Sequence, residues 1–237
     1  MNNIVELRQY AMKPGRRDEL IELFEREFIE SQEALGMDVI GTFRDVDDAD
    51  RFVWLRGYAD MESRGRALPA FYSGPVWKEH RNAAVATMND TDNVLLLRPA
   101  WQGSGFSRGT RAPRGADEAR QNLVVAMICY FDTKVPAGFA ESFCDAMRSE
   151  VEAEGSSPLA AVVSEQSANN FPAHPIREGE HVFVWFQDFP NARTARSIAL
   201  APELTRQLCK PVEILRLRPT SRSRRMASST MLCRSSA

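Results

Sequence analysis

The sequence has few of the residues that hold metals or disulfide frameworks. The cysteines are Cys129, Cys144, Cys209 and Cys233, and the histidines are His80, His174 and His181. No two cysteines have CxxC spacing, and no histidine falls beside them at metal-ligand spacing. This pattern argues against a structural zinc site and a disulfide framework. We therefore predict a reducing, cytoplasmic protein with no bound metal.

Long apolar runs and an excess of either charge are also missing. Glu6 and Arg8 interrupt the first apolar stretch, so we expect no signal peptide. No stretch approaches the roughly 18 apolar residues of a membrane span. A net charge of -2 gives no reason to expect a nucleic-acid partner. The 237 residues suit one large domain or two domains of about 100 residues.

The common catalytic signatures are absent as well. There is no GxSxG, no P-loop and no GxGxxG. Gly103-Ser104-Gly105 lies in a connection rich in glycine and arginine rather than in a strand-to-helix turn, so it does not predict a phosphate site. Cys129 lies in an apolar strand, which is typical of an inert core thiol. We predict no cofactor from these patterns.

What is present is a regular alternation of strand and helix periods. Residues 4–11 alternate in polarity with period two, which predicts a strand. Residues 16–35 repeat apolar positions at helical spacing. Further elements of the first half are strands at 37–46, 51–58 and 93–98, a short helical piece after Asp60, and a helix from Pro75 to Met88. Gly65 and Pro69 are expected to keep the short piece interrupted.

The same order of elements then recurs. Residues 101–121 predict a linker or a long exposed connection. The second half predicts strands at 123–131, 159–164, 182–189 and 212–218, a helix from Pro136, and helices at 191–199 and 202–208. The tail from Thr220 to Ala237 is rich in serine and arginine and predicts disorder, with a nucleic-acid or lipid role for its arginines as the weaker alternative.

Similar short sequence segments at equivalent positions of the two halves indicate an internal duplication. Phe52-Val53-Trp54 and Phe183-Val184-Trp185 occupy the same slot, Leu-Arg-Pro closes both halves, and Pro75 and Pro202 open the last helix of each. We predict an α+β protein with units at residues 1–100 and 122–219. An isolated unit would leave one face of its sheet exposed to solvent. We therefore expect the two units to pack sheet to sheet, or to close a barrel, as an intrachain pseudo-dimer.

The first strand suggests where a ligand would bind. We expect Val5 and Leu7 to pack on helices. Glu6, Arg8 and Tyr10 would then line the interior between the two sheets. A partly polar interior is a natural place for a small molecule, so the sequence predicts a cleft there.

Three segments resemble the NIPSNAP family: ELRQYAMKPG, FVWLRGYAD and GPVWKEHRNAAVATMNDTDNVLLLRP. The resemblance is clear over residues 4–99 and fainter over 122–219. It implies two tandem ferredoxin-like units of the dimeric α/β-barrel class. It implies little chemistry, because that class includes cofactor-free oxygenases, haem-degrading enzymes, dehydratases and proteins without known catalysis.

Three residues are the catalytic candidates. His80 would act as general acid or base, Arg8 would clamp an anionic group, and Tyr10 would donate to a ligand oxygen. Each also has a purely structural interpretation. These are a helix-surface or hydrogen-bonded histidine, an arginine paired with Glu6, and a core tyrosine.

Five residues are the substrate-binding candidates: Trp54, Trp77, Arg56, Arg81 and Glu6. The tryptophans would wall an aromatic pocket, and ordinary core packing is their alternative. The second half lacks these polar residues, so we predict an asymmetric site in the first half. His174 lies in a long loop, where it either covers a cleft or is exposed.

These observations support three functional hypotheses. The first is binding of a small apolar or anionic molecule, with metal-free acid–base or oxygenase-type chemistry. The second is a non-catalytic binding or scaffold protein of the NIPSNAP type, and the third is a haem-binding or haem-degrading protein. A homodimer of the tandem chain is expected if strand edges stay open.

Overall fold

Eight antiparallel strands close into one barrel. The computed structural model describes residues 2–116, 120–153, 155–191 and 200–227. The strands are β1 (Ile4–Met12), β2 (Asp38–Asp45), β3 (Arg51–Tyr58), β4 (Met88–Pro99), β5 (Leu123–Phe131), β6 (Ser157–Ser164), β7 (His181–Phe189) and β8 (Glu213–Pro219). Around the barrel they follow the order β1-β3-β2-β8-β5-β7-β6-β4. The α+β class and the barrel expected from the sequence are confirmed.

Helices cover the outside of the barrel. They are α1 (Arg17–Leu23), a π-helical turn (Phe24–Phe28), α2 (Ile29–Glu33), α3 (Met61–Tyr72), α4 (Pro75–Thr87), α5 (Phe139–Ala153) and α6 (Pro202–Thr205). The predicted helix 16–35 is thus interrupted by a π turn. The helix after Asp60 is longer than predicted, because a capping box with Ser63 starts it and it continues through Pro69. The helix predicted at 191–199 falls almost wholly outside the described residues.

The two halves of the barrel have the same strand order. In the first half the neighbouring strands are β4, β1, β3 and β2, in that order, and in the second half they are β8, β5, β7 and β6. In each half the fourth strand thus lies beside the first, the first beside the third, and the third beside the second. Short pairings of β2 with β8 and of β4 with β6 join the halves. Each of these eight strands therefore has a neighbour on both sides. The open edges that motivated the homodimer prediction do not occur among them.

The barrel interior is apolar, and this reverses the prediction for β1. Val5 and Leu7 point into the barrel and pack with side chains from both halves. Glu6, Arg8 and Tyr10 point outward, beneath the helices of the first half. The physical reason is that an eight-stranded barrel is just wide enough for its own side chains to fill. The predicted cleft between the two sheets is therefore wrong.

The connection and the proximal tail are both packed. Residues 101–121 were expected to be a linker or an exposed connection, yet Phe106 is buried in the barrel core with its ring 4.9 Å from that of Phe186. Ser104 Oγ donates to the carbonyl of Ala161 at 2.8 Å. The predicted disordered tail is wrong over residues 220–227, where Thr220 and Arg222 are buried against the first half. Residues 228–237 lie outside the described part.

Membrane crossing has no candidate element in the described ranges. None of the helices there combines enough length with enough apolar character to traverse a bilayer.

Candidate functional site

A cavity of about 110 Å³ lies between the outer face of the first-half sheet and the helices that cover it. Its walls come from β1, β3, β4, the π turn, α2, α3, α4 and one loop of the second half. The lining residues are Tyr10, Phe24, Phe28, Gln32, Trp54, Phe71, Tyr72, Trp77, Val85, Met88, Thr91 and His174. The enclosure is predominantly aromatic.

The π turn shapes one wall of this cavity. Phe24 packs edge-on against Trp54 at 4.8 Å between ring centroids, and Phe28 lies 5.6 Å from Trp77. Gln32, on the turn of helix that follows, donates to the Phe28 carbonyl at 2.9 Å. π turns inside helices are rare and often occur at functional sites. Here the turn brings two phenylalanines and an amide to one cavity.

A buried cluster of four charged side chains adjoins the cavity. Glu6 Oε2 accepts from Arg8 at 2.9 Å and from Arg56 Nη2 at 2.7 Å, and Glu6 Oε1 accepts from Arg64 Nε at 2.8 Å. Arg56 also donates to Gln32 Oε1 at 2.9 Å. All four charged side chains are at most 1% exposed. One carboxylate faces three guanidinium groups, so the cluster carries a formal charge of +2.

The ionisation of this cluster follows from its composition. Burial would raise the pKa of Glu6, but the charges of Arg56, Arg8 and Arg64 outweigh burial and hold it well below its ordinary value. The pKa of Arg56 is raised well above normal despite burial, because Glu6 is adjacent. Glu6, Arg8 and Arg56 are therefore charged at neutral pH. The excess positive charge is a property of the folded protein.

Two donors beside this charge are unused. Arg8 Nε donates to the Tyr10 hydroxyl at 3.0 Å, and no described residue accepts the proton of that hydroxyl. Burial raises the pKa of Tyr10, so the proton is retained. Trp54 Nε1 is buried and has no hydrogen-bond partner in the described ranges. The Trp54 ring also lies 4.8 Å from the Arg56 guanidinium.

The second half supplies the last wall through the loop between β6 and β7. The His174 ring stacks on Tyr72, with centroids 3.9 Å apart. Asn169 and Asn170 accept hydrogen bonds from Arg64 at 3.1 and 2.5 Å. A Cβ on Gly65 would lie 2.8 Å from Asn170 Nδ2, so glycine permits this close approach of loop and helix. The loop is thus fixed to the charged cluster.

The predicted site residues divide into two groups. Tyr10, Trp54 and Trp77 line the cavity. The cluster beside it contains the predicted residues Glu6, Arg8 and Arg56. Arg8 pairs with Glu6 at 2.9 Å, the contact that its structural interpretation describes.

His80 and Arg81 are not brought to the cavity. His80 Nε2 lies 3.7 Å from Glu27 Oε2, and its ring lies 6.3 Å from that of Phe28. Arg81 is exposed on the same helix. The predicted convergence of His80 with Arg8 and Tyr10 does not occur, because His80 faces Glu27 and Phe28 of the π turn rather than β1.

The described residues at the corresponding helix–sheet interface of the second half are apolar and packed together. Phe143 packs 5.0 Å from Phe183 and 5.5 Å from Trp185, and Met127 belongs to the same apolar cluster. Burial raises the pKa of the Cys129 thiol there to about 12, which fits the inert core thiol expected from the sequence. On the matching strand of the second half, Val125 and Met127 belong to the apolar cluster, whereas the first strand carries Glu6, Arg8 and Tyr10.

Several site residues were not identified from the sequence. Phe24, Phe28 and Gln32 look like ordinary helix-face residues until the π turn reorients them, and Arg64 looks like a surface arginine. For His174, covering a cleft is one of the two interpretations that the sequence supports, but no sequence pattern pairs its loop with the other half. The juxtaposed Asn169 and Asn170 are the one local hint of a fixed loop.

The chain is similar to known proteins in sequence and in fold. A family model described as NIPSNAP matches residues 5–101. The chain is 30% identical to an uncharacterised NIPSNAP-like domain protein from Burkholderia xenovorans, over 43% of this chain and 88% of that chain, with a TM-score of 0.39. No protein of curated function matches.

Two solved structures are similar over nearly the whole length. One is a provisionally named monooxygenase from Lactobacillus acidophilus, at 15% identity over 97% of each chain with a TM-score of 0.53. The other is a provisionally named monooxygenase from Fusobacterium nucleatum, at 10% identity over 96% of this chain and 94% of that chain, also with a TM-score of 0.53. At these identities the likeness shows a shared fold.

Proposed function

The chain belongs to the NIPSNAP family through residues 5–101, and on that premise we propose that its first half binds a small apolar molecule as an anion in the aromatic cavity. The observation that carries the proposal is the buried charge of +2 beside a partly open aromatic cavity with unused donors. An uncompensated buried charge is costly, and a ligand anion offsets that cost. The Trp54 N–H and the Tyr10 O–H supply donors for its oxygen.

The size and lining of the cavity limit the ligand class. An apolar cavity of about 150 Å³ accepts benzene. The cavity here has about 110 Å³ and is partly open to solvent, so the part of a ligand that it covers is limited to about one ring or a short branched chain. The aromatic walls favour an apolar body, and the arginines favour an acidic oxygen. Small phenols, enolisable ketones and carboxylic acids fit this description. A porphyrin does not fit this cavity, so we do not propose haem binding there.

Such a site favours metal-free acid–base chemistry. A positive environment lowers the pKa of a bound phenol or enol, so the ligand ionises at neutral pH. A phenolate or an enolate is also the electron-rich form that reacts with molecular oxygen. The monooxygenase names of two structural neighbours that match nearly the whole chain agree with oxygenase-type use of this site. Binding without turnover is the remaining alternative.

We also propose that the barrel is an intrachain pseudo-dimer of two ferredoxin-like units, residues 1–100 and 122–219. The shared strand order of the halves and their reciprocal junctions support it. Duplication followed by divergence explains the asymmetry. The first unit kept the polar cluster, whereas the second filled its own space with aromatics and contributes a loop to the first.

The test uses 4-fluorophenol followed by ¹⁹F NMR, with fluorobenzene as a neutral ligand of similar shape. We expect 4-fluorophenol to bind to the full-length protein with a pKa at least three units below the solution value of about 10 for a phenol, so that the bound ligand is ionised at neutral pH. Three units correspond to about 4 kcal/mol of preference for the anion over the neutral phenol. Fluorobenzene, which cannot ionise, should bind more weakly than 4-fluorophenol. Equal binding of both, or no binding of either, would contradict the proposal.

A further inference from the structure

We infer that His174 is the general base of this site and that the substrate class is the enolisable ketone. The inference rests on the proposed function and extends it. It assigns a reacting group to a residue of the second half, so the site is chemically complete only when both halves are present. His174 lines the cavity and reaches it from a loop that is not adjacent in sequence to any other wall.

The cavity lining offers few groups that exchange protons. Only Tyr10, Tyr72 and His174 among its residues titrate. Tyrosine ordinarily holds its proton to about pH 10, whereas imidazole changes charge near pH 6.5. Neither ring nitrogen of His174 has a hydrogen-bond partner among the described residues. His174 therefore has an uncommitted lone pair at the cavity.

The imidazole is held by a cluster of three rings and through its backbone. The His174 ring lies 3.9 Å from Tyr72 and 5.3 Å from Phe171, with interplanar angles of 23° and 12°, and Tyr72 and Phe171 stack on each other at 5.8 Å. Asn169 Nδ2 donates to the His174 carbonyl at 3.0 Å, and the His174 amide donates to the Phe171 carbonyl at 3.1 Å. A catalytic base must be held in a fixed geometry to be effective, and this loop provides that.

The charges around His174 favour its neutral form when the cavity is empty. The facing groups are Tyr72 from α3, Tyr10, Glu6, Arg8 and Arg56 from the sheet, and Arg64 from α3. Burial, together with the positive charges of Arg8 and Arg56, lowers the pKa of His174 to about 4. At neutral pH the ring is unprotonated and can accept a proton. An enolate would offset the arginine charges, so the imidazole becomes more basic as the anion forms.

The step is a balanced proton transfer. The His174 lone pair takes a proton from the carbon beside the ketone carbonyl, and the C–H electron pair becomes the enolate double bond. The carbonyl π pair moves to the oxygen, where Tyr10 O–H and Trp54 N–H donate hydrogen bonds. The imidazolium then returns a proton to the carbon. In heavy water it returns a deuteron, so the ketone exchanges hydrogen for deuterium without net reaction.

The test measures deuterium incorporation into cyclohexanone by mass spectrometry in buffered D₂O with the full-length protein. We expect the wild type to accelerate exchange. His174→Gln and His174→Phe should each lose about 10² to 10⁴-fold in kcat, with KM within threefold. The phenylalanine variant keeps the stacking on Tyr72, so its loss separates base chemistry from loop packing. His80→Gln is the matched control and should be unaffected.

The outcomes separate this inference from the proposed function. If wild type binds 4-fluorophenol as its anion but does not accelerate exchange, the inference is wrong and the proposed function stands. If His174→Phe exchanges as fast as wild type, the base lies elsewhere and the inference is also wrong. If 4-fluorophenol does not bind to the wild type, the proposed function itself fails.

Discussion

Replacing Glu6 with glutamine isolates the energetic role of the buried cluster. The change preserves the size of the side chain and removes the one negative charge that faces Arg8, Arg56 and Arg64. All three ion pairs are at most 1% exposed, so water does not substitute for the lost charge. Breaking a buried ion pair by removing one partner costs about 3–5 kcal/mol, because the remaining charge is left uncompensated. We expect a loss of at least that size.

The assay is urea unfolding at neutral pH, followed by circular dichroism. Glu62→Gln is the matched control, because Glu62 pairs with Arg66 on the exposed surface of α3. Exposed helix pairs of this spacing contribute about 0.3–0.5 kcal/mol. The control should therefore shift the free energy of unfolding by no more than that. A loss below about 1 kcal/mol in Glu6→Gln would refute the claim that Glu6 stabilises the arginine cluster.

The pH dependence provides a second measurement that holds even if Glu6→Gln fails to fold. The pKa of Glu6 is depressed in the folded state. Its contribution to stability is therefore complete above the unfolded pKa of about 4.3 and is lost as pH falls toward the folded value. Wild type should lose stability with falling pH below about 4. A stability that does not change with pH below that value would contradict the assignment.

Three further predictions follow from packing and hydrogen bonding. Leu7→Ala should cost about 2–5 kcal/mol in urea unfolding because Leu7 fills the barrel, whereas Val85→Ala on the helix surface should stay within about 0.5 kcal/mol. Trp54→Phe should weaken 4-fluorophenol binding about 2- to 12-fold, the value of one hydrogen bond, and an unchanged affinity would exclude the indole as a donor. Arg222→Ala should raise the pKa of Glu30 from about 2, because the Arg222 guanidinium lowers that pKa against the opposing effect of burial. Carboxyl NMR would follow the pKa, and an unchanged value would contradict the pairing of Arg222 with Glu30.

The sequence predicted the strands well for a simple reason. β3 and β5 have the predicted bounds of 51–58 and 123–131, because each is an apolar run between turn residues. β4 begins at Met88 rather than at 93, since polar residues that pair with β1 carry no apolar period. Local sequence patterns therefore predict a strand segment only where that segment contributes residues to the core.

The orientation of β1 and the composition of the site were harder to predict. Alternation shows that β1 has two faces, but closure of the barrel decides which face is enclosed. Both faces of β1 are buried, so the usual rule that polar residues face solvent does not tell where Glu6 and Arg8 point. The contribution of His174 depends on a contact between the halves, and the ordered tail depends on ion pairs such as Arg224 with Glu33. Neither has a periodic signature in the chain.

The most direct test of the account is the location of a bound ligand. We would soak crystals of the full-length protein with 4-bromophenol and locate the bromine by anomalous diffraction. The account predicts one bromine in the cavity lined by Tyr10, Trp54 and His174, with the phenol oxygen on the side of Arg8 and Arg56. A bromine in the barrel interior or on the surface, with this cavity filled by protein side chains, would contradict it.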